Sequence, residues 1–302
     1  MKQKHLTLAA LAILCGTALF SCSRDDNESP KAPTTFHMTV NATKGTNNAL
    51  QAPAVSPTRA LSLKGSTLYA TWSTTEQVFV QAVTQERTLF WFGGHLSPQS
   101  DGVSTTLSGT ISLTSSWASS FEDVFGTSVE PYFNFNLQFP RKDWEYTGQV
   151  GTLSDIAQKY DYAIANAQVT IDGNKITGVK QTETFENQQA IVKFTLKDSS
   201  GNLIDASALT ISATGLAQSV SLWYNSERHR YEPYNIPEND PGSITISLSP
   251  ATSEVYAALR GINNTTVTLT ATVGSDTYTY TRSGVTFEHG EYYDISVKMT
   301  KQ

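Results

Sequence analysis

Short runs of alternating apolar and polar residues recur along the chain from residue 36 onward. The first run, FHMTVNA at 36–42, places Phe36, Met38 and Val40 on one side and polar residues on the other. Alternation with period two is typical of strands that bury one face. The sequence therefore predicts an all-β fold. Similar runs, separated by turn-forming residues, are QAIVKFTL (189–196), ITISLS (244–249), TVTLTATV (266–273), TYTYTRSGVTF (277–287) and YDISVKMT (293–300).

One segment departs from the strand pattern. In TLSDIAQKYDYAIANA, at 152–167, apolar residues recur with the spacing of a helix. Ser154 is a suitable N-cap, and Asp155 suits the positive N-terminal end of a helix. We therefore expect one short helix near 153–163.

The length of the strand-rich region indicates two domains. About 260 residues is long for a single β-sandwich, since most domains have about 100 to 150 residues. A polar stretch, Asp172-Gly173-Asn174, follows the predicted helix before strands resume. We place the boundary near residue 168, which gives an N-terminal β-sandwich domain at 36–168 and a C-terminal one at 169–302.

The N-terminus has the pattern of a secretion signal. Lys2 and Lys4 precede an apolar stretch at 6–20, which is shorter than the roughly 20 residues of a membrane-spanning helix. Residues 1–21 are therefore expected to be removed. The sequence around Cys22 resembles a bacterial lipobox, in which the cysteine becomes an acylated anchor, carrying for example palmitate. The alternative is an ordinary signal peptide that happens to contain cysteine.

Residues 22–35 are polar and contain prolines, which is typical of a flexible tether. Their acidic cluster, Asp25-Asp26-Asn27-Glu28, resembles the export signal that sends some bacterial lipoproteins to the outer face of the outer membrane. The alternative is a solvated linker that carries no export signal. The first interpretation predicts a surface-exposed protein on the cell outer membrane.

Composition and motifs exclude several functions. The chain has 27 acidic and 21 basic residues and a net charge of −6 at pH 7, which argues against a nucleic-acid partner. One of its two cysteines, Cys15, lies in the predicted signal, so neither a disulfide nor a cysteine metal site is expected in the mature chain. The sequence contains no HExxH, GxSxG or P-loop motif. We expect no enzymatic activity, no metal and no cofactor.

Several segments, in their order along the chain, resemble the fimbrillin-like family, the subunits of type V pili. The resemblance implies two transthyretin-like β-sandwich domains, delivery as an outer-membrane lipoprotein, and assembly with other pilin subunits into a fimbrium after a protease removes the first strand. Arg59, followed by Ala60, matches the cleavage position. The segments are TRALSLKGSTLYATWSTTEQVFV (58–80), YFNFNLQFPRKDWEY (132–146), LSDIAQKYDYA (153–163), ETFENQQAIVKFTLKDSSGNLI (183–204) and GEYYDISVKMTK (290–301).

The residues themselves are compatible with such a cut. Arg59 lies in NNALQAPAVSPTRALS, at 47–62, which has two prolines and no strand alternation, as an accessible protease site requires. The alternatives are that Arg59 is one surface charge among many, or that Lys44 or Lys64 serves a similar protease.

A cut after Arg59 makes the strand with Phe36, Met38 and Val40 detachable and opens a groove for another strand. The C-terminal segment has a matching pattern. Its apolar residues Ile295, Val297 and Met299 alternate with polar ones, so it is the candidate donor strand for β-strand addition. The alternative is that both segments stay in their own sandwich.

A second function competes with the filament. The segment LWYNSERHRYEPYNIPENDPG, at 222–242, gathers Trp223, Tyr224, Tyr231 and Tyr234 in a predicted loop whose rings suit stacking on sugars or on a host protein. Ordinary loop packing is the alternative. The favoured hypothesis is a structural or adhesive fimbrial subunit that polymerises by strand exchange. The rival is a monomeric surface lipoprotein that binds a glycan or a host protein.

Overall fold

The computed structural model describes residues 35–44, 61–64, 67–84, 87–113, 132–137, 144–225, 227, 230–234 and 240–302. These residues form strands and one short helix, which confirms the predicted all-β class. The elements, in chain order, are β1 (Thr35–Lys44), β2 (Leu61–Lys64), β3 (Thr67–Ala70), β4 (Val78–Thr84), β5 (Arg87–Pro98), β6 (Ser104–Leu113), β7 (Tyr132–Leu137), β8 (Trp144–Glu145), α1 (Leu153–Lys159), β9 (Ala163–Asp172), β10 (Lys175–Gly178), β11 (Glu183–Asn187), β12 (Gln189–Lys197), β13 (Ala206–Thr214), β14 (Ser219–Asn225), β15 (Arg230–Tyr234), β16 (Pro241–Thr252), β17 (Glu254–Arg260), β18 (Ile262–Val273), β19 (Asp276–Phe287), β20 (Tyr292–Lys298) and β21 (Thr300–Lys301).

Eight strands form the first sheet, in the order β10-β1-β11-β9-β7-β4-β5-β6. β1 pairs in parallel with β10 and β11 and antiparallel with β6. The pairings therefore run from β1 through β6, β5, β4, β7, β9 and β11 and back to β1, as a closed ring. The residues that alternate inward along these strands build an apolar interior, as in other closed sheets.

We call this interior the first core. Glycine at position 109 is required by the close approach of the strands, because a Cβ there would overlap the backbone oxygen of His95. Gly109 lies directly opposite Met38 of β1. The buried members of the first core are Phe36, Met38, Val40, Ala42, Trp72, Val78, Val80, Leu96, Leu107, Ile111, Ala163, Ala167, Val169, Ile176 and Phe185.

Two further sheets, β17-β12-β20 and β16-β13-β18-β19-β21, build a second core. Phe194 and Val297 come from one of these sheets, and Leu209, Ile246 and Leu269 from the other. Side chains of two sheets that bury one common core are the arrangement of a β-sandwich. Shorter sheets, β15-β14-β8 and β2-β3, complete the described fold.

The predicted helix is confirmed as α1, but it begins and ends differently. The N-cap is Thr152, whose hydroxyl accepts a hydrogen bond from the backbone N–H of Asp155, so the prediction of Ser154 as the cap is wrong. The helix ends at Lys159, because Tyr160 and Tyr162 are buried and donate hydrogen bonds to backbone carbonyls at 2.7 and 2.8 Å. Tertiary contacts thus override the helical pattern after residue 159.

The predicted domain boundary near residue 168 falls inside β9, which runs from Ala163 to Asp172. Within β9, Ala163 and Ala167 pack into the first core, whereas Ile164 packs into the second. The division into domains at 36–168 and 169–302 stays a prediction. Across the described ranges, no helix is long and apolar enough to span a membrane.

Candidate strand-exchange site

β1 is an amphipathic strand of the first sheet with one fully buried face. Phe36, Met38, Val40 and Ala42 are each at most 2% exposed, whereas the residues between them are exposed or partly exposed. This confirms the apolar face predicted for the first strand. The strand pairs with β6 over nine consecutive positions, from 35 to 43, and with β10 and β11 on its other edge. β1 therefore fills a position with strand partners on both sides.

The last of the alternate buried side chains along β1 is a lysine, Lys44. Lys44 is 1% exposed, and its Nζ lies 2.7 Å from Oε1 of Glu76 and 3.3 Å from Oδ2 of Asp161. The same ammonium lies 5.0 Å from the ring centroid of Trp72, within the range of a cation–π contact. A buried lysine thus fixes the C-terminal end of β1.

The two carboxylates that face Lys44 are held by other groups as well. Glu76 Oε2 accepts a hydrogen bond from the backbone N–H of Ser73 at 3.2 Å, and Asp161 Oδ1 accepts one from Gln189 Nε2 at 3.1 Å. Burial raises the pKa of Glu76 above its ordinary 4.5, and the ammonium of Lys44 opposes that rise. We call Lys44, Glu76 and Asp161 the buried charge cluster. It has two acids and one base, so without the lysine it becomes a pocket of uncompensated negative charge.

Sequence reasoning missed this cluster. From the sequence alone, Lys44 is a candidate site for a trypsin-like protease, and its burial makes it a poor one. The available signal was its position, because Lys44 continues the alternation of Phe36, Met38, Val40 and Ala42 and therefore faces the core. The sequence gives no comparable signal for Glu76 and Asp161, which the fold brings to Lys44 from positions 32 and 117 residues away.

The processing site and the lipid anchor lie outside the described residues. This applies to Cys22, to Arg59 and Ala60, to the signal at 1–21 and to nearly all of the tether at 22–35. The nearest described residues are Lys44 at the end of β1 and Leu61 at the start of β2. β2 pairs with β3 and not with β1. No strand pairing among the described residues therefore ties β1 to β2, the first described strand after the predicted cut.

The C-terminal segment lies in its own sandwich. β20 pairs in parallel with β12 at the edge of its sheet, and the two-residue β21 pairs with β19. Val297 and Met299 are at most 1% exposed, whereas Ile295 is partly buried. The predicted donor strand thus has the expected apolar face, and here that face packs into the second core.

A groove of about 360 Å³ lies beside this segment. Tyr293, Ile295 and Val297 line it on one side and Leu269, Tyr280 and Val285, among others, on the other side. The first half of the C-terminal segment therefore borders open space. Its packing is looser than that of β1.

The aromatic residues predicted to form a ligand loop lie in a hairpin of β14 and β15 instead of a loop. Trp223 is 47% exposed and Tyr234 is 45% exposed, and their ring centroids are 5.2 Å apart at an interplanar angle of 35°. Tyr224 and Tyr231 occupy directly paired positions in the register. The structure thus brings Trp223 and Tyr234 together as an exposed aromatic pair.

The described residues give little support for a metal site or for catalysis by perturbed tyrosines. No group of three or more His, Cys, Asp or Glu side chains there is arranged to hold a metal ion. The most perturbed tyrosines, such as Tyr146, owe their raised pKa to burial in the second core.

No family model matches the chain, and no curated protein matches it. It is similar to a solved candidate cell adhesion protein from Bacteroides ovatus, with 15% identity, a TM-score of 0.45 and coverage of 88% of this chain and 94% of the other. A C-terminally truncated tip fimbrial protein from Porphyromonas gingivalis matches with 10% identity, a TM-score of 0.42 and coverage of 87% and 95%. The shaft pilin SpaA from Lactobacillus rhamnosus GG matches with 12% identity, a TM-score of 0.33 and coverage of 89% and 98%. Since all three TM-scores lie below 0.5, the function proposed next rests on this chain's own strands.

Proposed function

We propose that this protein is a non-enzymatic structural or adhesive subunit of a fimbrium, which polymerises by strand exchange after β1 is cut away. The observation that carries this proposal is the state of β1. It is paired on both edges and buries five alternate side chains, and the segment that follows it contains Arg59. A cut after Arg59 leaves β1 held by non-covalent contacts alone.

Loss of β1 opens a groove that a second strand must fill. Burial of an apolar side chain is worth roughly 1.5 to 3 kcal/mol, so Phe36, Met38 and Val40 together stabilise the closed sheet by roughly 5 to 9 kcal/mol before ordering costs. The exposed edges of β6, β10 and β11 offer unpaired backbone groups along the same groove. A cleaved subunit is therefore an acceptor for a strand with the alternation of β1.

The C-terminal segment is the proposed donor, through Ile295, Val297 and Met299. It is an edge strand, so its release breaks backbone pairing with one neighbour at each point, β12 along β20 and β19 along β21. The new site offers pairing on both sides. This gain in pairing favours the filament over the separate subunit.

Acylation at Cys22 is proposed to deliver the subunit to the outer membrane. The tether at 22–35 then joins the anchor to β1, which begins at Thr35. A cut after Arg59 separates the anchor together with β1 from the remainder of the chain. Release from the lipid and activation for assembly are thus one event.

Limited trypsin digestion of the chain from residue 23 tests the proposal, with Arg59→Ala as its partner. We expect one early cut after Arg59, loss of β1 and growth of the remainder into polymers, measured by mass spectrometry and size-exclusion chromatography. Lys44 is buried and should resist the protease, so it serves as an internal control. A stable monomer after the cut, or equal polymerisation of Arg59→Ala, contradicts strand exchange.

The exposed pair Trp223 and Tyr234 favours a second function, binding of a glycan or a host protein by a monomeric surface lipoprotein. A glycan array with the uncleaved chain tests it. Trp223→Ala should abolish saturable binding, and the exposed Leu203→Ala is the matched control because Leu203 is another exposed large apolar residue. Absence of binding by the unsubstituted chain contradicts a glycan ligand.

A further inference from the structure

The first strand and the C-terminal segment agree position by position over nine residues. FHMTVNATK at 36–44 and YDISVKMTK at 293–301 both place an aromatic residue first and alternate apolar residues after it. Both have valine at the fifth position, Val40 and Val297, and both end in Thr-Lys. The agreement includes the one charged residue on the inward face of β1, Lys44, whose counterpart is Lys301.

We propose that Tyr293–Lys301 of a second copy enters the groove in this register, so that Lys301 takes the place of Lys44 between Glu76 and Asp161. This inference rests on the proposed exchange of strands and adds its register and its selectivity. The buried charge cluster contains two acids, and the departure of β1 removes their cation. The groove therefore selects a donor strand that carries a cation at this position.

Other registers are worse on physical grounds. A shift by one residue turns the apolar side chains outward. A shift by two in one direction puts Lys301 at the place of Ala42, which is fully buried among apolar side chains. A shift by two in the other direction puts Met299 at the place of Lys44 and leaves both carboxylates without a cation.

In the proposed register, the donor strand fits the groove left by β1 at all but one of its inward apolar positions. Tyr293, Ile295 and Val297 replace side chains of similar size, whereas Met299 is larger than Ala42. Methionine is the apolar side chain that adapts most readily to an irregular space. In the separate subunit, Lys301 pairs with Asp276 at 2.6 Å, and both side chains are exposed. Breaking this surface ion pair costs little free energy.

Disulfide trapping measures directly which donor residue lies opposite Leu107 of β6. Val40 lies opposite Leu107 of β6, so the proposal pairs Val297 of the donor with Leu107 of the acceptor. Directly paired residues of antiparallel strands are close enough for a disulfide. The chain from residue 23 contains no cysteine, which allows Leu107→Cys to be combined in turn with Val297→Cys, Ile295→Cys or Met299→Cys.

After the cut at Arg59, we expect a ladder of disulfide-linked subunits on denaturing gels run without reductant only with Val297→Cys, and we expect reductant to abolish it. Predominant cross-linking through Ile295→Cys or Met299→Cys overturns the register and leaves strand exchange intact. Absence of polymer in the cleaved chain without substitutions overturns strand exchange itself and the register with it. The two failures are therefore distinguishable.

The cation is tested by Lys301→Met against Lys298→Met, a matched lysine that faces solvent on β20. We expect Lys301→Met to slow polymerisation about tenfold or more at pH 7, and less at about pH 5, because burial raises the pKa of Glu76 and protonation there removes part of the unpaired negative charge. Lys301→Arg and Lys298→Met should polymerise within about twofold of the unsubstituted chain. Equal polymerisation of Lys301→Met and Lys298→Met at pH 7 overturns the role of Lys301.

Discussion

β1 and the C-terminal strand have the same pattern of side chains and are held very differently. β1 lies inside a closed sheet, with partners on both edges and a buried lysine at its end. β20 and β21 lie at the edges of their sheets, beside an open groove, and Lys301 lies at the surface. The apolar stripe is therefore common to both strands, whereas pairing and charge decide how firmly each is held.

This difference gives the two strands different roles in an exchange. A donor strand must leave its first site at low cost, and an acceptor groove must hold its occupant firmly. The edge position of β20 meets the first requirement, and the closed sheet with its buried charge cluster meets the second. One chain therefore contains both a weak site and a strong site for nearly the same strand.

The largest contrast is expected between Lys44→Met and Lys301→Met. Lys44→Met leaves the buried Asp161 and the partly buried Glu76 without a cation and should destabilise the uncleaved chain by about 3 to 5 kcal/mol at pH 7. Lys301→Met should leave stability nearly unchanged, because its partner is exposed. Urea unfolding of both variants measures the difference, and equal stabilities show that the cluster does not fix β1.

A second contrast concerns the apolar stripes. Met38 is fully buried, so Met38→Ala should destabilise the chain by about 2 to 5 kcal/mol. Ile295 occupies the corresponding position of the C-terminal segment but is partly buried and lines the groove, so Ile295→Ala should cost about 1 to 2 kcal/mol. Thermal or urea unfolding of the two variants ranks them, and the reverse order contradicts the looser packing of the C-terminal strand.

The pH dependence of Lys44→Met tests the charge cluster more finely. Without the ammonium, the pKa of Glu76 rises further above 4.5, because burial is no longer opposed. Between pH 4.5 and that raised pKa, the folded variant binds more protons than the unfolded chain, so its stability increases as the pH falls. The deficit relative to the unsubstituted chain should therefore shrink as the pH falls from 7 to about 5. A deficit that is constant over this range, measured by urea unfolding at each pH, contradicts buried carboxylates as its cause.

The smallest effect is expected from the aromatic pair. Trp223→Ala and Tyr234→Ala change exposed side chains far along the chain from both strands, so each should alter stability by less than about 0.5 kcal/mol. Polymerisation after the cut should also be unchanged. Sedimentation of cleaved samples measures the amount of polymer. A strong loss of polymer in Trp223→Ala would place the hairpin of β14 and β15 in the interface between subunits.

The sequence allows the strand class and the short helix to be predicted, because period-two alternation and helical spacing are local signals. The apolar faces of β1 and β20 follow from the same signal. The loop prediction for Trp223, Tyr224, Tyr231 and Tyr234 is wrong. Asn, Asp and Pro in that segment favour a loop, but pairing of β14 with β15 places these residues in a hairpin.

Long-range features were beyond local reasoning. The parallel neighbours of β1 come from residues 175–187, and the acids that meet Lys44 come from positions 76 and 161. A side chain's partners across the fold depend on topology, and the local pattern gives only the face on which that side chain lies. For this reason the sequence predicts that Lys44 lies on the inward face of β1 but does not predict which acids it pairs with.

The nine-position pairing between β1 and β6 has a mechanical consequence. The hydrogen bonds of such a pair lie across the strand direction, so a lengthwise pull on the occupant of the groove loads all of them together in shear. A pull across the strand would instead break them one after another, from one end. Whatever strand occupies this place is thus best secured against tension along its own axis, which is the direction in which a thread under flow is stretched.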